Sequence, residues 1–524
     1  MLDAGHAAAH RLAPATIRDI CRAALPGLIH FGSAHRLRVA VGGAIREISL
    51  SLPEDAVLHL TGLALETDGP LPPYEVEASS SADAAAAPPD LIAGRVLKTA
   101  AEPYPRWRCR FARPLRVEAA TVRNRGGKWA SRAYGLHIGW VAASGTGFVF
   151  DNLDPAVIRH RLLAQRGAWT ALRARSASCA PALHHALDAV AVAALAHCDR
   201  TADALAEGDA DAGDLCRARY DLLDAVCAAF APQRTLPAGL AAALVPLLEA
   251  LVWKGLDPPA AAAASEAAVL PVLFALELAS AGVAPLARVQ EFERLLQHEG
   301  DIEAFEAATE AAAGRLGLGA ALSPLRLLPH GLRAAVLVRE AAAYEASLRD
   351  VIALFAELGH AAAICHGTLL GAVRQGTFLA HDDDVDIALM TSCSTEAEAR
   401  DLLRRLLARL TARGVAASML DELMFLKVRS PAGGKLVDVF PVMTGEDGLA
   451  RMSMRQMRIE AFPADIMAPL GAVRLNGAPV PAPARPELFL EARFGPGWAT
   501  PDRFTKMPWI RRAPVAAAAA QSSR

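Results

Sequence analysis

The hydrophobic pattern of the chain changes twice along its length, and each pattern is typical of a different kind of fold. Between about residues 25 and 155, stretches such as "HRLRVAVGG" and "YGLHIGWVA" alternate apolar and polar residues between Gly, Pro and Asp clusters, which predicts β-strands joined by turns. Between about 156 and 345, apolar residues recur with a helical period in an Ala- and Leu-rich background. From about 346 onward, helical and strand patterns alternate. The three patterns predict a multidomain α+β protein.

These changes of pattern set the expected domain boundaries. We predict an all-β domain over 25–155, an α-helical spacer domain over 156–345, an α/β domain over 346–510 and a flexible tail over 511–524. Within the first domain, the Ser-, Ala- and Pro-rich stretch Ser79–Pro89 predicts a mobile loop. Within the third, Thr395 and Glu398 have the spacing of a capping box, which predicts a helix over Glu396–Arg413 that Gly414 ends.

Composition excludes several classes of partner and location. The chain has 524 residues and is 53% hydrophobic, enough to bury a sizeable core. A formal net charge of −2 gives no global field that would attract nucleic acid, so we expect no nucleic-acid partner. Pro and Glu interrupt the longest apolar runs, so we expect no transmembrane segment and leave peripheral membrane association open. With no secretory signal and no C-x-x-C pair among eight cysteines, the expected location is cytoplasmic.

An acidic cluster at the start of an apolar stretch carries the most chemical information. In "GTLLGAVRQGTFLAHDDDVDIALM", Asp384 and Asp386 flank Val385, and residues two apart in a strand project to the same face. Two carboxylates aimed together suit a divalent cation, most simply Mg²⁺ or Mn²⁺. A solvated acidic turn is the alternative. A calcium loop is excluded because Ile387 and Cys393 stand where that loop needs Gly and Glu.

A third carboxylate follows on a separate stretch. Asp438 lies inside "KLVDVF", where an apolar strand makes an unpartnered carboxylate costly. A neighbouring strand could place it beside Asp384 and Asp386 as a third metal ligand, and a salt-bridged structural aspartate is the alternative. Lys427 and Arg429 on the preceding predicted strand are candidate counter-charges.

A phosphate-binding turn is predicted upstream of the acidic cluster. Gly367 and Thr368 follow one predicted strand and open a helix, whose N-terminal amide groups and dipole suit a phosphate. Arg374 lies further along that helix and could neutralise a phosphate, although a solvated arginine is the more common outcome. The stretch lacks the lysine of a Walker A loop and the spacing of a dinucleotide-binding loop.

These motifs together resemble a known family. The stretches "HGTLLGAVRQGTFLAHDDDVDIAL", "KLVDVFPV" and "VRLNGAPVPAPARPELFLEARFGPGWATP" resemble the signature segments of the LicD/fukutin family, over about residues 346–505. The resemblance implies a nucleotidyltransferase-like α/β fold and transfer of phosphocholine or polyol phosphate from a CDP-linked alcohol donor onto a glycan acceptor. It further implies that Asp384, Asp386 and Asp438 hold the metal and act in catalysis, and that Gly367 and Thr368 bind the donor phosphate.

Further residues have expected roles around the site, and some positions depart from the family pattern. We expect Arg374 and Lys427 to assist at the donor phosphate, and Asp382, Asp383 and His381 to surround and support the metal ligands. The departures, which bear on donor or acceptor specificity, are His381 for Trp, Ala380 for Pro, Gln375 for His and Phe494 for Tyr.

The N-terminal region resembles a second family. "YPRWRCRFARPLRVEAATVRNRGGKWASRAYGLHIGW" is similar to a discoidin module, on the residues Trp107, Asn124-Arg125, and Arg132 before Leu136. The resemblance implies a β-sandwich over about 25–155 that binds a glycan if it binds a ligand. Trp129, Tyr104 and Arg132 are then the loop candidates, because aromatic faces suit sugar stacking, while packing within the module is the alternative.

The sequence therefore supports one main hypothesis. It is a metal-dependent transferase that moves a phospho-alcohol group from a CDP-linked donor onto a hydroxyl of a cell-surface or capsular glycan. Two alternatives stay open: a nucleotidyltransferase that moves the nucleotidyl group itself, and a glycan-binding scaffold whose catalytic domain is inactive.

Overall fold

The computed structural model shows two compact units. It describes residues 14–31, 35–80, 88–208, 211–233, 235–254, 260–504, 507 and 509–511. The described residues before 322, with 509–511, form the first unit, and those from 322 to 507 form the second. The predicted boundary between 345 and 346 thus falls inside the second unit, and the three-domain division stays a prediction. The predicted tail beyond 511, and 81–87 of the predicted loop Ser79–Pro89, lie outside the described residues.

The first unit contains an antiparallel sheet of seven strands. These are β1 (Arg36–Ser51), β2 (His59–Thr67), β3 (Tyr74–Ala78), β4 (Leu97–Lys98), β5 (Arg106–Asn124), β6 (His137–Ala142) and β7 (Gly147–Asp151). They lie in the order β4-β2-β5-β1-β6-β7, and β3 also pairs with β5. The structure confirms strands where the alternation predicted them. All seven belong to a single hydrogen-bonded sheet, and the discoidin-like sandwich stays a prediction.

Helices dominate the rest of the first unit. They are α1 (Pro14–Ala24), α2 (Pro155–Ser176), α3 (Pro181–Glu207), α4 (Ala212–Ala229), α5 (Ala238–Glu249), α6 (Ala260–Ala281), α7 (Leu286–Gln290), α8 (Glu299–Arg315) and α9 (Gly319–Leu322), with a two-residue strand β8 (Ala284–Pro285). Local sequence explains their ends: Asp154 caps α2 by accepting a bond from the Ala156 amide, and Gly208 ends α3 with φ of 73°. A mixed helical and β architecture is therefore confirmed.

Within the part of the chain that the structure describes, one helix has the length and composition to cross a membrane. The stretch Ala264–Ala281 of α6 has a mean hydropathy of 1.5, and 56% of it is buried in the structure. A core helix of a folded domain passes the same test, so this single stretch is weak evidence and gives no clear transmembrane segment.

The second unit is a mixed sheet covered by helices. Its elements are β9 (Leu325–Leu328), β10 (Gly331–Ala334), α10 (Val336–Arg339), α11 (Ala341–Glu357), β11 (Ala362–Ile364), α12 (His366–Gln375), β12 (Asp386–Met390), α13 (Glu396–Ala412), β13 (Ala417–Leu420), β14 (Phe425–Arg429), β15 (Leu436–Thr444), β16 (Leu449–Ser453), β17 (Ile459–Pro463), β18 (Gly471–Leu475), β19 (Ala478–Ala482) and α14 (Pro486–Phe494). The main sheet has the order β11-β12-β15-β14-β13, with β12 and β15 parallel. Their near-continuous apolar sequences are typical of strands buried on both faces.

Sequence signals set the helix ends in this unit as well. The predicted capping box of Thr395 and Glu398 is present at the start of α13, and Gly414, with φ of 74°, follows its end. The hairpin of β9 and β10 interrupts the stretch that the periodicity predicted as helical. Pro329 and His330 form its two-residue turn, and Gly331 follows with φ of 126°, which a helix cannot accommodate.

A close contact fixes α12 against the segment that leads to the acidic cluster. A Cβ atom on Gly371 would lie 2.5 Å from the Thr377 carbonyl oxygen and 3.1 Å from the Leu379 amide nitrogen. These are backbone atoms, so the neighbouring chain cannot yield by a simple rotamer change. Glycine therefore lets the helix lie directly on this segment.

We predict that Gly371→Ala lowers the free energy of unfolding by about 1–3 kcal/mol, because the added methyl group forces the two backbones apart. Urea denaturation measures the change. Gly497→Ala is the matched control, since a Cβ atom there meets nothing within 4 Å. An equal free energy for both variants would contradict the close packing.

A buried histidine makes the first unit sensitive to pH. His59 on β2 is only 6% exposed. Burial lowers the pKa of His59 from 6.5 to about 4, and the positive charges of Arg125 and Arg132 lower it further. Between these two values the unfolded chain binds a proton that folded His59 does not. The folded state is thus favoured above the unfolded pKa and loses stability as the pH falls through this window.

We predict that the wild type loses stability relative to His59→Gln as the pH falls from about 6.5 to 4, because glutamine binds no proton in either state. Chemical denaturation at several pH values measures the difference. His160→Gln, which removes an exposed histidine, serves as the control for general effects of substitution. A pH-independent difference between wild type and His59→Gln would rule out the effect.

Candidate active site

The sheet of the second unit brings three predicted carboxylates together. Asp386 opens β12 and pairs in parallel register with Asp438 of β15. Asp384 precedes β12 by two residues, and one carboxylate oxygen from each of the three lies within 4.8 Å of the others. Asp386 and Asp438 are 6% and 5% exposed. The expectation that neighbouring strands place these groups side by side thus corresponds to the observed geometry.

This arrangement is electrostatically unfavourable by itself. Burial raises the pKa of Asp386 well above its usual range, and the nearby Asp384 and Asp382 raise it further. Burial also raises the pKa of Asp438, although a hydrogen bond from Lys427 offsets part of this. The group therefore gains stability from a bound proton or cation. Three convergent oxygen ligands are the donor set that Mg²⁺ or Mn²⁺ prefers, so the residues present fit such an ion.

Lys427 lies beside the third carboxylate. It pairs with Asp438 across the antiparallel strands β14 and β15, and its Nζ lies 2.8 Å and 3.1 Å from the two carboxylate oxygens. Its side chain is 35% exposed, so the ammonium group borders both the carboxylate and solvent. Lys427 thus lies beside Asp438, and its contact with a donor phosphate stays a prediction.

Gly367 and Thr368 lie in the first turn of α12, directly behind the carboxylates. The Thr368 hydroxyl accepts a hydrogen bond from the Asp386 amide at 2.9 Å, and the Cys365 amide donates to the Asp386 carbonyl oxygen at 3.1 Å. A Cβ atom on Gly367 would lie 1.9 Å from a carboxylate oxygen of Asp382. In this structure the turn therefore positions Asp386 and Asp382; phosphate binding by it stays a prediction.

Arg374 lies at the opposite end of α12. It is seven residues beyond Gly367, a rise of about 10 Å along the helix, and its guanidinium donates to the Thr500 carbonyl oxygen at 3.1 Å. Burial lowers the pKa of His381, and the positive charges of Arg503 and Arg374 lower it further. The neutral form of His381 is thus favoured beside the positive charges of Arg374 and Arg503, and the predicted roles of Arg374 and His381 stay predictions.

Asp382 and Asp383 differ in their surroundings. Asp383 forms an ion pair with Arg333, whose Nη1 lies 3.0 Å from one carboxylate oxygen, and Nδ1 of His330 lies 3.0 Å from each oxygen. The Asp383 amide donates to the Asp382 carboxylate at 3.2 Å. Both residues therefore make contacts within the loop that carries Asp384, and their predicted role around the metal ligands stays a prediction.

Arg493 is a cation beside the carboxylates that was not predicted from the sequence. Arg493 of α14 donates from Nε to Nδ1 of His366 at 3.0 Å, and its positive charge lowers the pKa of Asp386 against the larger effect of burial. The His366 ring packs edge-on against Phe440, with centroids 4.9 Å apart. The available signal was an arginine within the apolar helix "ELFLEARF" of the closing family-like segment.

Two of the three glycan candidates of the first unit lie together, and the third lies apart from them. Arg132 stacks over the Trp129 ring, 4.0 Å from its centroid, within a short 3₁₀ helix after β5. Tyr104 is 68% exposed and precedes the 19-residue β5, so it lies at the other end of that strand. Trp129 and Arg132 form one cation–π pair, and glycan contact by any of the three residues stays a prediction.

The bond between Thr368 and Asp386 gives a direct test of this site. We predict that Thr368→Val lowers the free energy of unfolding by about 1–3 kcal/mol, because the isosteric change leaves a buried amide without its acceptor. Thr368→Ser keeps the hydroxyl and is the control. Thermal or urea unfolding compares them, and equal losses for both variants would show that the hydroxyl is not needed.

Comparison with known families agrees with the position of the carboxylates. Residues 359–485 match the family model described as LicD/FKTN/FKRP, nucleotidyltransferase domain. The matched segment lies within the second unit and contains Asp384, Asp386 and Asp438, together with α12. No curated protein matches the chain significantly. The family match supports the assignment of this C-terminal region to the LicD/FKTN family and, with it, a transferase of phosphate-containing groups.

Proposed function

We propose that the protein is a metal-dependent phosphotransferase that moves phosphocholine or a polyol phosphate from a CDP-linked alcohol onto a hydroxyl of a cell-surface or capsular glycan. The family match supports the coarser statement, a phosphotransferase acting on glycans. The CDP-linked donor, the metal and the acceptor are the proposed part.

One observation carries the proposal: carboxylate oxygens of Asp384, Asp386 and Asp438 approach within 4.8 Å of one another near one end of the adjacent strands β12 and β15. Structural aspartates usually avoid such proximity, because like charges in a desolvated site raise the free energy of the folded state. Functional sites are where such costs are commonly retained. A bound Mg²⁺ or Mn²⁺ would neutralise the donor diphosphate and lower the barrier to its cleavage.

The residues of the chain then have separate tasks. Asp386 would hold the ion from the start of β12, Asp384 from the loop just before that strand, and Asp438 from the neighbouring strand β15. The amide groups at the start of α12 face the donor phosphates, and Lys427, whose ammonium group reaches solvent beside Asp438, neutralises them. Phosphoryl transfer needs this positioning and charge neutralisation more than covalent participation by the protein.

The proposed transfer step needs one proton acceptor. The acceptor hydroxyl oxygen forms a bond to the phosphorus that carries the alcohol, and the bond from that phosphorus to the bridging diphosphate oxygen breaks. CMP leaves, and the hydroxyl proton passes to a carboxylate. Asp438 is the proposed base, or the metal ligand that takes this role, because its carboxylate lies within 4.8 Å of those of Asp384 and Asp386.

The location follows from the substrates as part of the same proposal. A CDP-linked donor is expected in the cytoplasm, and glycan acceptors are commonly assembled at a membrane surface. We therefore propose a cytoplasmic enzyme that associates peripherally with membrane, with the first unit as the part of the chain that contacts the glycan.

We predict that Asp384→Asn and Asp386→Asn each lower the transfer rate at least about 100-fold, because a metal ligand supplies several kcal/mol of charge stabilisation. EDTA should abolish the activity, and added Mg²⁺ should restore it. Asp401→Asn is the matched control, since Asp401 is a 64% exposed aspartate on α13 whose charge pairs with Arg404. Wild-type rates in both site variants would overturn the proposal.

The donor is identified by thermal shift with CDP-choline, CDP-ribitol and CDP-glycerol, each with and without Mg²⁺. Mass spectrometry of the acceptor then separates the alternatives. Addition of a phospho-alcohol with release of CMP supports the proposal, and addition of a nucleotidyl group would indicate a nucleotidyltransferase proper. Glycan binding without metal-dependent binding of any CDP ligand would indicate an inactive scaffold.

A further inference from the structure

A hairpin outside the family-matched segment contacts the acidic loop. The strands β9 and β10 precede residues 359–485 by more than twenty residues, yet they belong to the same compact unit as the carboxylates. The turn residue His330 and the β10 residue Arg333 both reach Asp383, the central residue of the Asp382–Asp384 run.

The Asp383 end of this contact is buried, and its two partners are more exposed. The Asp383 side chain is 6% exposed, whereas Arg333 is 34% and His330 is 66% exposed. A buried carboxylate thus receives two donors from one rigid two-residue turn and the strand that follows it. Without these donors, Asp383 would be a desolvated charge within 4.8 Å of the carboxylate oxygens of Asp382 and Asp384.

The loop is held from a second side as well. The Asp382 carboxylate lies against the Cα atom of Gly367, and the Asp383 amide donates to that carboxylate. Asp384, the next residue, is the one proposed ligand that lies outside a regular strand. Its orientation therefore depends on the residues that fix Asp382 and Asp383, whereas the sheet itself orients Asp386 and Asp438.

We propose that Arg333 and His330 are positioning residues of the active site, which act through Asp383 to hold Asp384 in the orientation that binds the metal. The inference rests on the proposed function, because it assumes a divalent cation at the three carboxylates. Arg333 and His330 themselves neither bind the ion nor touch the reacting groups. The hairpin thus extends the site beyond the segment that matches the family.

A purely electrostatic role for Arg333 would have the opposite effect on metal binding. If its charge acted only by repelling a cation, its removal would strengthen metal binding, and would do so whether or not Asp383 is charged. A positioning role weakens binding and operates only through Asp383. A double-mutant cycle on metal affinity separates the two roles.

The test uses the full chain and MnCl₂, with free Mn²⁺ followed by electron paramagnetic resonance. We expect Arg333→Gln to weaken Mn²⁺ binding about tenfold or more, the range found for residues that orient metal ligands. Arg333→Lys should keep most of the affinity, because a single Nη1 contact to Asp383 is replaceable by an ammonium group. In the Asp383→Asn background, Arg333→Gln should change affinity by less than about twofold.

Controls separate positioning from misfolding. Arg349→Gln removes an arginine that is 57% exposed and pairs with Glu345, and should leave Mn²⁺ affinity unchanged. Thermal unfolding in EDTA checks that each variant is folded. If Arg333→Gln does not fold, the mostly exposed His330→Gln carries the same test, with a weakening that disappears in the Asp383→Asn background.

The outcomes are distinguishable. Wild-type affinity in Arg333→Gln, tighter binding, or an unchanged effect in the Asp383→Asn background each overturns the positioning role and leaves the proposed function intact. Failure of the wild type itself to bind Mn²⁺ overturns both the metal-dependent function and this inference.

Discussion

The main electrostatic constraint on the second unit is the repulsion between carboxylates that its sheet places side by side. Parallel pairing of β12 and β15 places Asp386 opposite Asp438, and both are almost fully buried. Burial and mutual repulsion make the ionised forms costly, which the raised pKa values of both residues express. Lys427 and Arg493 offset part of this cost from either side. The net negative charge that remains makes the site suited to a divalent cation, which in turn suits an anionic donor.

The surrounding backbone is organised to keep these groups in place. The Thr368 hydroxyl binds the amide of Asp386, so the first turn of α12 and the start of β12 form one rigid joint. Glycine at 367 leaves room for the Asp382 carboxylate, and glycine at 371 lets α12 lie on the chain that leads to the acidic loop. Rigid placement of this kind lowers the reorganisation needed when a substrate binds.

Much of this could be predicted from local patterns. The i, i+2 spacing of Asp384 and Asp386 and the apolar surroundings of Asp438 indicated a shared site before any fold was known. The capping box of Thr395 and Glu398 gave the start of α13 correctly. Other features could not be predicted in this way. The β9–β10 hairpin lies in a stretch whose Leu spacing resembles a helix, and a two-residue turn with a left-handed glycine overrides that pattern.

The amino-acid sequence sets which carboxylates, cations and turn glycines are available, and its local patterns indicate many of the strands and helices that carry them. Which of these groups contact one another depends on how the strands and helices pack together. Arg493 reaches His366 across 127 positions of the chain, and Arg333 reaches Asp383 across 50. Strand pairing and helix packing fix such distances, and no local periodicity encodes them. The same reason separates Tyr104 from Trp129, because the 19 residues of β5 place them at opposite ends of one strand.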